Sequence, residues 1–260
     1  MSWRTIADKW PVLVGPVLIL GAWELASRGG LLRQTFFPPP TRILARSTIV
    51  FDTDAGLAGD IWATVLRVLV VIALATLLGV GLGLLMTASQ WTERGMSTVL
   101  AFFYPIPGVL FFPFLTFLLG RGETAVILTS VVTPFIVMAL YTVAGVRTIQ
   151  PVLLEAAKNY GSRGWRFFWR VLIPGALPSV VAGFKIALGF SLIAVVAVEM
   201  VGAQSGLGQF LWSNWQILRV MDMYVALLCV AVLGLLSSIG FDAVADRIIP
   251  WRTTVQEQRR

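Results

Sequence analysis

Histidine is absent from the 260 residues, and cysteine occurs once, at Cys229. Without imidazole there is no histidine general base and no histidine-ligated metal. A lone thiol in an apolar run makes no intrachain disulfide and no thiolate cluster, which removes zinc and redox centres. Charge is scarce as well: 13% of residues are Asp, Glu, Lys or Arg, about half the share in a soluble domain. Apolar residues fill the space, 57% of the chain at a mean hydropathy of +0.84, so the solvent for most of this protein is lipid. The formal charge of +7 then reads as loops facing anionic lipid and a partner protein rather than nucleic acid.

A membrane span takes about 20 mostly apolar residues. Residues 68–92, 95–120 and 124–146 clear that length, and 223–241 just reaches it. Two more runs are interrupted by charge, 10–26 by Glu24 and 177–201 by Lys185 and Glu199. The expectation is an all-α polytopic protein with about six transmembrane helices. Continuous runs of this length exclude a barrel, whose strands alternate over about ten residues. The first run follows Arg4 and Lys9 and is succeeded by Glu24, Arg28 and Arg33 without a small-x-small site. It reads as an uncleaved anchor, with a cleaved signal as the alternative. Twelve Lys and Arg fall in the loops on the N-terminal side and six on the other, so both termini of this multi-pass cell-membrane protein are expected in the cytoplasm.

Inside the spans, Gly79, Gly81, Gly83, Gly183 and Gly189 suit close helix packing. Pro105, Pro107 and Pro113 in the third span remove backbone donors, so that helix has to kink or break, and Pro134 adds a kink in the fourth. Pathway lining and plain structural bending both account for the break. Arg67, at the edge of its run, is free to snorkel; Lys185 and Glu199, 14 residues apart, are about 21 Å apart along one helix and cannot pair there. Each is either a pathway group or a capped or snorkelling charge. The stretch 201–223, with Trp212 and Trp215, reads as a re-entrant or interfacial helix.

The longest N-terminal-side loop, 147–177, differs from its surroundings. Pro151 suits a first helical turn, with Glu155 near that end, and Gly161 suits a stop after a short helix over 152–160. A second short segment over 164–173 alternates Trp165, Phe167, Phe168 and Trp169 with arginines before Pro174 ends it. On composition alone this is an interfacial amphipathic connector.

The order Glu155-Ala156-Ala157, Gly161 six residues after the glutamate, then Val171, Ile173 and Pro174 resembles the EAA motif of binding-protein-dependent ABC importer permeases. Val171 and Ile173 stand where that family more often has Ile and Leu. Phe37-Pro38-Pro39-Pro40-Thr41, Ala197-Val198-Glu199-Met200 and Ser205-Gly206-Leu207-Gly208 look like the nitrate/sulfonate/taurine branch, which also includes importers of vitamin and pyrimidine precursors.

The resemblance implies a type I importer permease, one transmembrane domain over 1–260 with an anchor helix at about 10–27, a core over 60–250 and a coupling loop over 147–177. In it, Glu155, Ala156, Ala157, Gly161, Val171, Ile173 and Pro174 would meet a cytoplasmic ATPase; Arg67, Pro105, Pro107, Lys185 and Glu199 are pathway candidates. It further implies a solute-binding protein on the outer face, a homodimer of this chain, and a small, anionic solute. No G-x-x-x-x-G-K-[ST] loop occurs, so the chain is expected to be no enzyme and to hold no cofactor, with ATP bound by the partner subunit. An ATP-independent secondary transporter is the competing reading.

Overall fold

The computed structural model describes residues 10–53 and 55–248. The basic residues Arg4, Lys9, Arg252, Arg259 and Arg260 of the charge count lie outside them. The described residues form helices and their connections, with no strand among them. In chain order these are α1 (Trp10–Arg28), α2 (Pro40–Thr53), α3 (Ala55–Met86), α4 (Gln90–Phe103), a 3-10 turn (Gly108–Phe111), α5 (Phe112–Leu119), α6 (Glu123–Arg147), α7 (Pro151–Asn159), α8 (Gly164–Phe167), α9 (Ile173–Gly202), α10 (Leu207–Gln216) and α11 (Val220–Ile248).

Four helical stretches among the described residues are long and apolar enough to cross a membrane: Gly56–Met86, Glu123–Arg147, Gly164–Gly202 and Val220–Ala245. A fifth crossing, if counted as one, is the pair α4 and α5, bent by 88° at their break. The expected break is therefore present, at Tyr104 to Pro107. Pro113 takes no part in it: it sits in the first turn of α5, where a missing N–H costs nothing. The remaining expected span falls on α1, 19 residues long.

Two span boundaries differ from the sequence reading. The second begins at Ala55, twelve residues before Arg67, and ends at Met86 rather than at 92. Ser89 starts a new helix there, its Oγ accepting from the backbone N–H of Trp91 at 3.1 Å and of Thr92 at 3.4 Å. Pro174 does not end the segment after Gly164 either. A π-helical turn, Phe168–Leu172, joins α8 to α9, and Pro174 lies in the first turn of α9.

The centre of the molecule is α6, packed between α3 and α9. Of its most apolar stretch 61% is buried within the chain, against 17% for α11, so α6 is the helix that lipid reaches least. It runs through Pro134 as one helix. Hydrocarbon supplies no hydrophobic drive between helices, so close approach does the work. A Cβ at Gly79 would stand 2.5 Å from the Cβ of Met138, and one at Gly83 2.6 Å from that of Thr142, which seats α3 directly on α6. Gly183 likewise abuts Tyr141, whereas Gly81 and Gly189 face open space. Several buried hydroxyls bond their own helix, as Thr129 to the Ala125 carbonyl at 2.6 Å and Ser191 to that of Ala187 at 2.8 Å, whereas Thr76 Oγ1 on α3 is buried without a partner among the described residues. At one end Val50, Leu57, Leu207, Phe210 and Val225 form a cluster joining α2, α3, α10 and α11.

Candidate functional site

At the end of the bundle where α9 passes into α10, three chain segments converge on one guanidinium. Arg67 donates from Nε and Nη2 to the two Glu123 oxygens (2.6 and 2.9 Å), from Nη1 to Glu199 Oε1 and the Ser205 carbonyl (both 2.7 Å), and from Nη2 to Ser205 Oγ (3.2 Å). An arginine has five N–H groups, and every one of them is used. Glu199 is fully buried. It also accepts from Thr64 Oγ1 at 3.0 Å and from the Gly208 backbone N–H at 2.9 Å.

This network caps α10. The first backbone N–H groups of a helix lack intrahelical partners and carry partial positive charge. Here Asp60 accepts from Gly206 N at 2.6 Å, Thr64 from Leu207 N at 2.9 Å, and Glu199 from Gly208 N. The caps come from α3 and α9 rather than from α10 itself. The glycines of Ser205-Gly206-Leu207-Gly208 follow from that. Gly206 has φ +113 with Glu199 against its Cα, and a Cβ at Gly208 would run into the Val196 carbonyl. The stretch after α9 is thus a short helix, as expected, with Trp212 and Trp215 stacked at 4.9 Å.

Arg67 and Glu199 therefore neither snorkel nor merely cap. They are a buried ion pair, because the α3 helix starts early enough to carry Arg67 inside, beside α9. Lys185 pairs separately with Asp242 at 2.6 Å, next to stacked Phe184 and Phe241. Pro105 and Pro107 stay at the α4–α5 break, both exposed. Glu24 accepts from Thr41 N at 3.1 Å and Thr41 Oγ1 at 2.7 Å, and it pairs with Arg28. With Ser27 Oγ donating to the Phe37 carbonyl at 2.7 Å, this holds the Phe37-to-Thr41 segment against α1. Arg46 on α2 clasps Asp222 on α11 at 2.6 and 3.0 Å, hydrogen bonds that raise its pKa further. Sequence reasoning misses Asp60, Thr64 and Glu123 and names Ser205 only within a motif; for Glu123 the available signal was opposite charges at one depth of antiparallel spans.

The 147–177 loop, at the opposite end, is organised; Arg147 at its start pairs with Glu93 on α4. Gly161, at φ +77, ends α7 with Ser162 N bonded to the Ala157 carbonyl at 2.9 Å and Gly161 N to that of Lys158 at 3.0 Å. This pair of bonds defines a glycine-terminated helix stop. Glu155 lies in the body of α7 rather than its first turn, exposed and without an ion pair among the described residues. Ala156 and Ala157 are half-buried, as are Val171 and Ile173, whereas Pro174 is exposed. Trp165 stacks on Phe168 at 5.6 Å, and Lys158 Nζ lies 5.9 Å from the centroid of the Phe167 ring, which ties the two short helices together.

An all-helical, multi-pass bundle with a buried charge node at one end and a preformed helix–glycine–helix loop at the other is the architecture of a membrane transport subunit. Residues 75–253 match the family described as binding-protein-dependent transport system inner membrane component, and the chain belongs to that family. The taurine transport system permease protein TauC of Escherichia coli (strain K12) is 26% identical over 97% of this chain and 96% of its own. The nitrate import permease protein NrtB of Leptolyngbya laminosa is 25% identical over 95% and 90%. A chain of the MetNI methionine ABC transporter, solved in inward-facing conformations, superposes with a TM-score of 0.68 at 23% identity, over 74% of this chain and 96% of that one. The fold is that of a type I ABC importer permease, and the chain is a transport subunit rather than an enzyme.

Proposed function

We propose that this permease forms the path for a small anionic solute of the sulfonate or nitrate kind, delivered by an outer binding protein and driven by a separate ATPase. With both termini cytoplasmic, the 147–177 loop faces the cytosol and the Arg67 node faces outward. Relatives named for taurine and nitrate import support the anionic class. A homodimer is the economical assembly, since one loop serves one ATPase.

The loop is the observation that carries the ATPase reading. Its backbone is fixed by the Gly161 stop and its aromatics pack on each other, yet Val152 and Trp165 remain 70% and 73% exposed. A preorganised surface without an intrachain partner suits docking. Closure of the ATPase pair moves the bundle only through differential affinity for two states of it.

Glu155→Lys and Gly161→Trp are the test. Both variants are expected in the membrane at normal level, with ATPase co-purification and uptake lost. Normal association and uptake in both would remove the assignment.

A further inference from the structure

We propose that the Arg67–Glu123 pair is an exchangeable latch: a small oxyanion entering the cavity beside it takes the place of Glu123 on the Arg67 fork. The proposal rests on the anionic-solute reading and gives it a site.

The two carboxylates on Arg67 are unequal. Glu199 is wholly buried and holds Thr64 and Gly208 as well as Arg67, so its departure would strand several buried groups. Glu123 has its side chain 58% exposed, with Arg67 as its ion-pair partner. Its carboxylate is largely solvated although Arg67 is only 5% exposed, so its departure strands no buried group on the Glu123 side. Glu123 is also the first residue of α6, so a released carboxylate keeps the favourable field of the helix N-terminus as well as solvation. Because all five Arg67 N–H groups are engaged, a guest reaches this guanidinium only by displacing a resident acceptor, and of the two carboxylates Glu123 is the one able to leave.

The space for the guest adjoins. A cavity of about 490 Å³ is lined by Arg67, Glu123, Arg121, Gln204, Gln209 and Trp212, among others, within the range of small-ligand sites. Arg121 makes no ion pair among the described residues. Sulfonate, nitrate and bicarbonate each present two oxygens to a guanidinium as a carboxylate does, so Glu123 already shows the bidentate geometry they would adopt. Arg121 and the glutamine amides supply further donors. Occupancy also cuts the ion pair between the first turn of α6 and α3, so loading the site frees the central helix at that end.

The full-length protein in nanodiscs, titrated with ethanesulfonate and separately with nitrate, tests this, with the neutral ethyl methyl sulfone as control. An internal competitor lowers apparent affinity by the fraction of time the site is open, so a latch open about a tenth of the time predicts roughly tenfold tighter anion binding in Glu123→Gln. Glu123→Ala, which leaves no acceptor, should move the same way, Arg121→Gln should weaken binding, and the sulfone should stay unaffected. A structural ion pair gives no such gain on removal. If wild type binds the anions and both Glu123 variants, melting as wild type does, bind no tighter, the latch is wrong and the anionic-solute reading stands. If no form binds either anion, both fall.

Discussion

The two ends of the bundle are built on opposite terms. At the α10 end, polar groups answer one another within the chain: Arg67 uses every donor, Glu199 has no exposed surface, and the first amides of α10 are capped from neighbouring helices. At the loop end, Glu155 and the arginines at 163, 166 and 170 have no ion pair among the described residues, and Tyr160 is 93% exposed. In the membrane region a buried charge without a partner is costly, so the buried Arg67–Glu199 pair has to be answered within the chain whatever the protein does. The second is under no such compulsion, and the docking role proposed for it rests on a fixed backbone beneath exposed side chains. The same sequence features, charge among apolar residues, thus serve architecture at one end and, in the proposed function, contact at the other.

The largest effect that would break this contrast is at Glu199. Glu199→Ala leaves Arg67 short of its buried acceptor and uncaps Gly208, a change expected to cost about 3–5 kcal/mol. Glu123→Ala removes the half-exposed partner of the same arginine and should cost about 1 kcal/mol or less. Chemical denaturation in detergent micelles measures both. Equal losses would mean that Glu123 is as fixed as Glu199, and the proposed latch would lose its basis.

A smaller effect sharpens the contrast within one helix. Gly79 and Gly81 are two residues apart on α3, one pressed against Met138 and Phe135, the other facing open space. Gly79→Ala is expected to destabilise by about 1–3 kcal/mol through overpacking. Gly81→Ala should be neutral or stabilise by up to about 1 kcal/mol, since alanine is the better helix former. If Gly81→Ala proves the more harmful, that face is covered by something outside this chain, and the second copy of a homodimer becomes the first candidate.

Much of this was legible in advance for identifiable reasons. Long apolar runs mark spans because hydrocarbon admits little else. Pro105 and Pro107 announce a break, and Gly161 a helix stop, because each fixes the local backbone. The Arg67 node was not legible, since Arg67 and Glu199 are 132 residues apart in sequence and nothing in one chain says which face of a span a charge takes. Judging Arg67 by hydropathy alone ended the span at its charge. Neutralised by Glu199 and Glu123, that charge lies within the helix, and the span extends back to Ala55. Gly206 and Gly208 were recognisable as a motif, but their reason, room for Glu199 and for the Val196 carbonyl, exists only once α9 and α10 are folded together.

The least effect is expected at Leu218, where the closed end meets its rim. Among the described residues it alone has a positive φ without being glycine, at +59, and its side chain is 73% exposed. The turn is held by backbone bonds, Leu218 N to the Trp215 carbonyl at 3.0 Å and Arg219 N to that of Asn214 at 2.9 Å, so the strain is imposed by the connection from α10 to α11. A left-handed leucine costs roughly 1–2 kcal/mol, and glycine gives back about half of any relief through its looser unfolded chain. Leu218→Gly should therefore stabilise by about 0.5–1 kcal/mol in the same denaturation assay. If it destabilises instead, the leucine side chain is gripped where the isolated chain leaves it exposed, and the closed end would have a contact surface of its own.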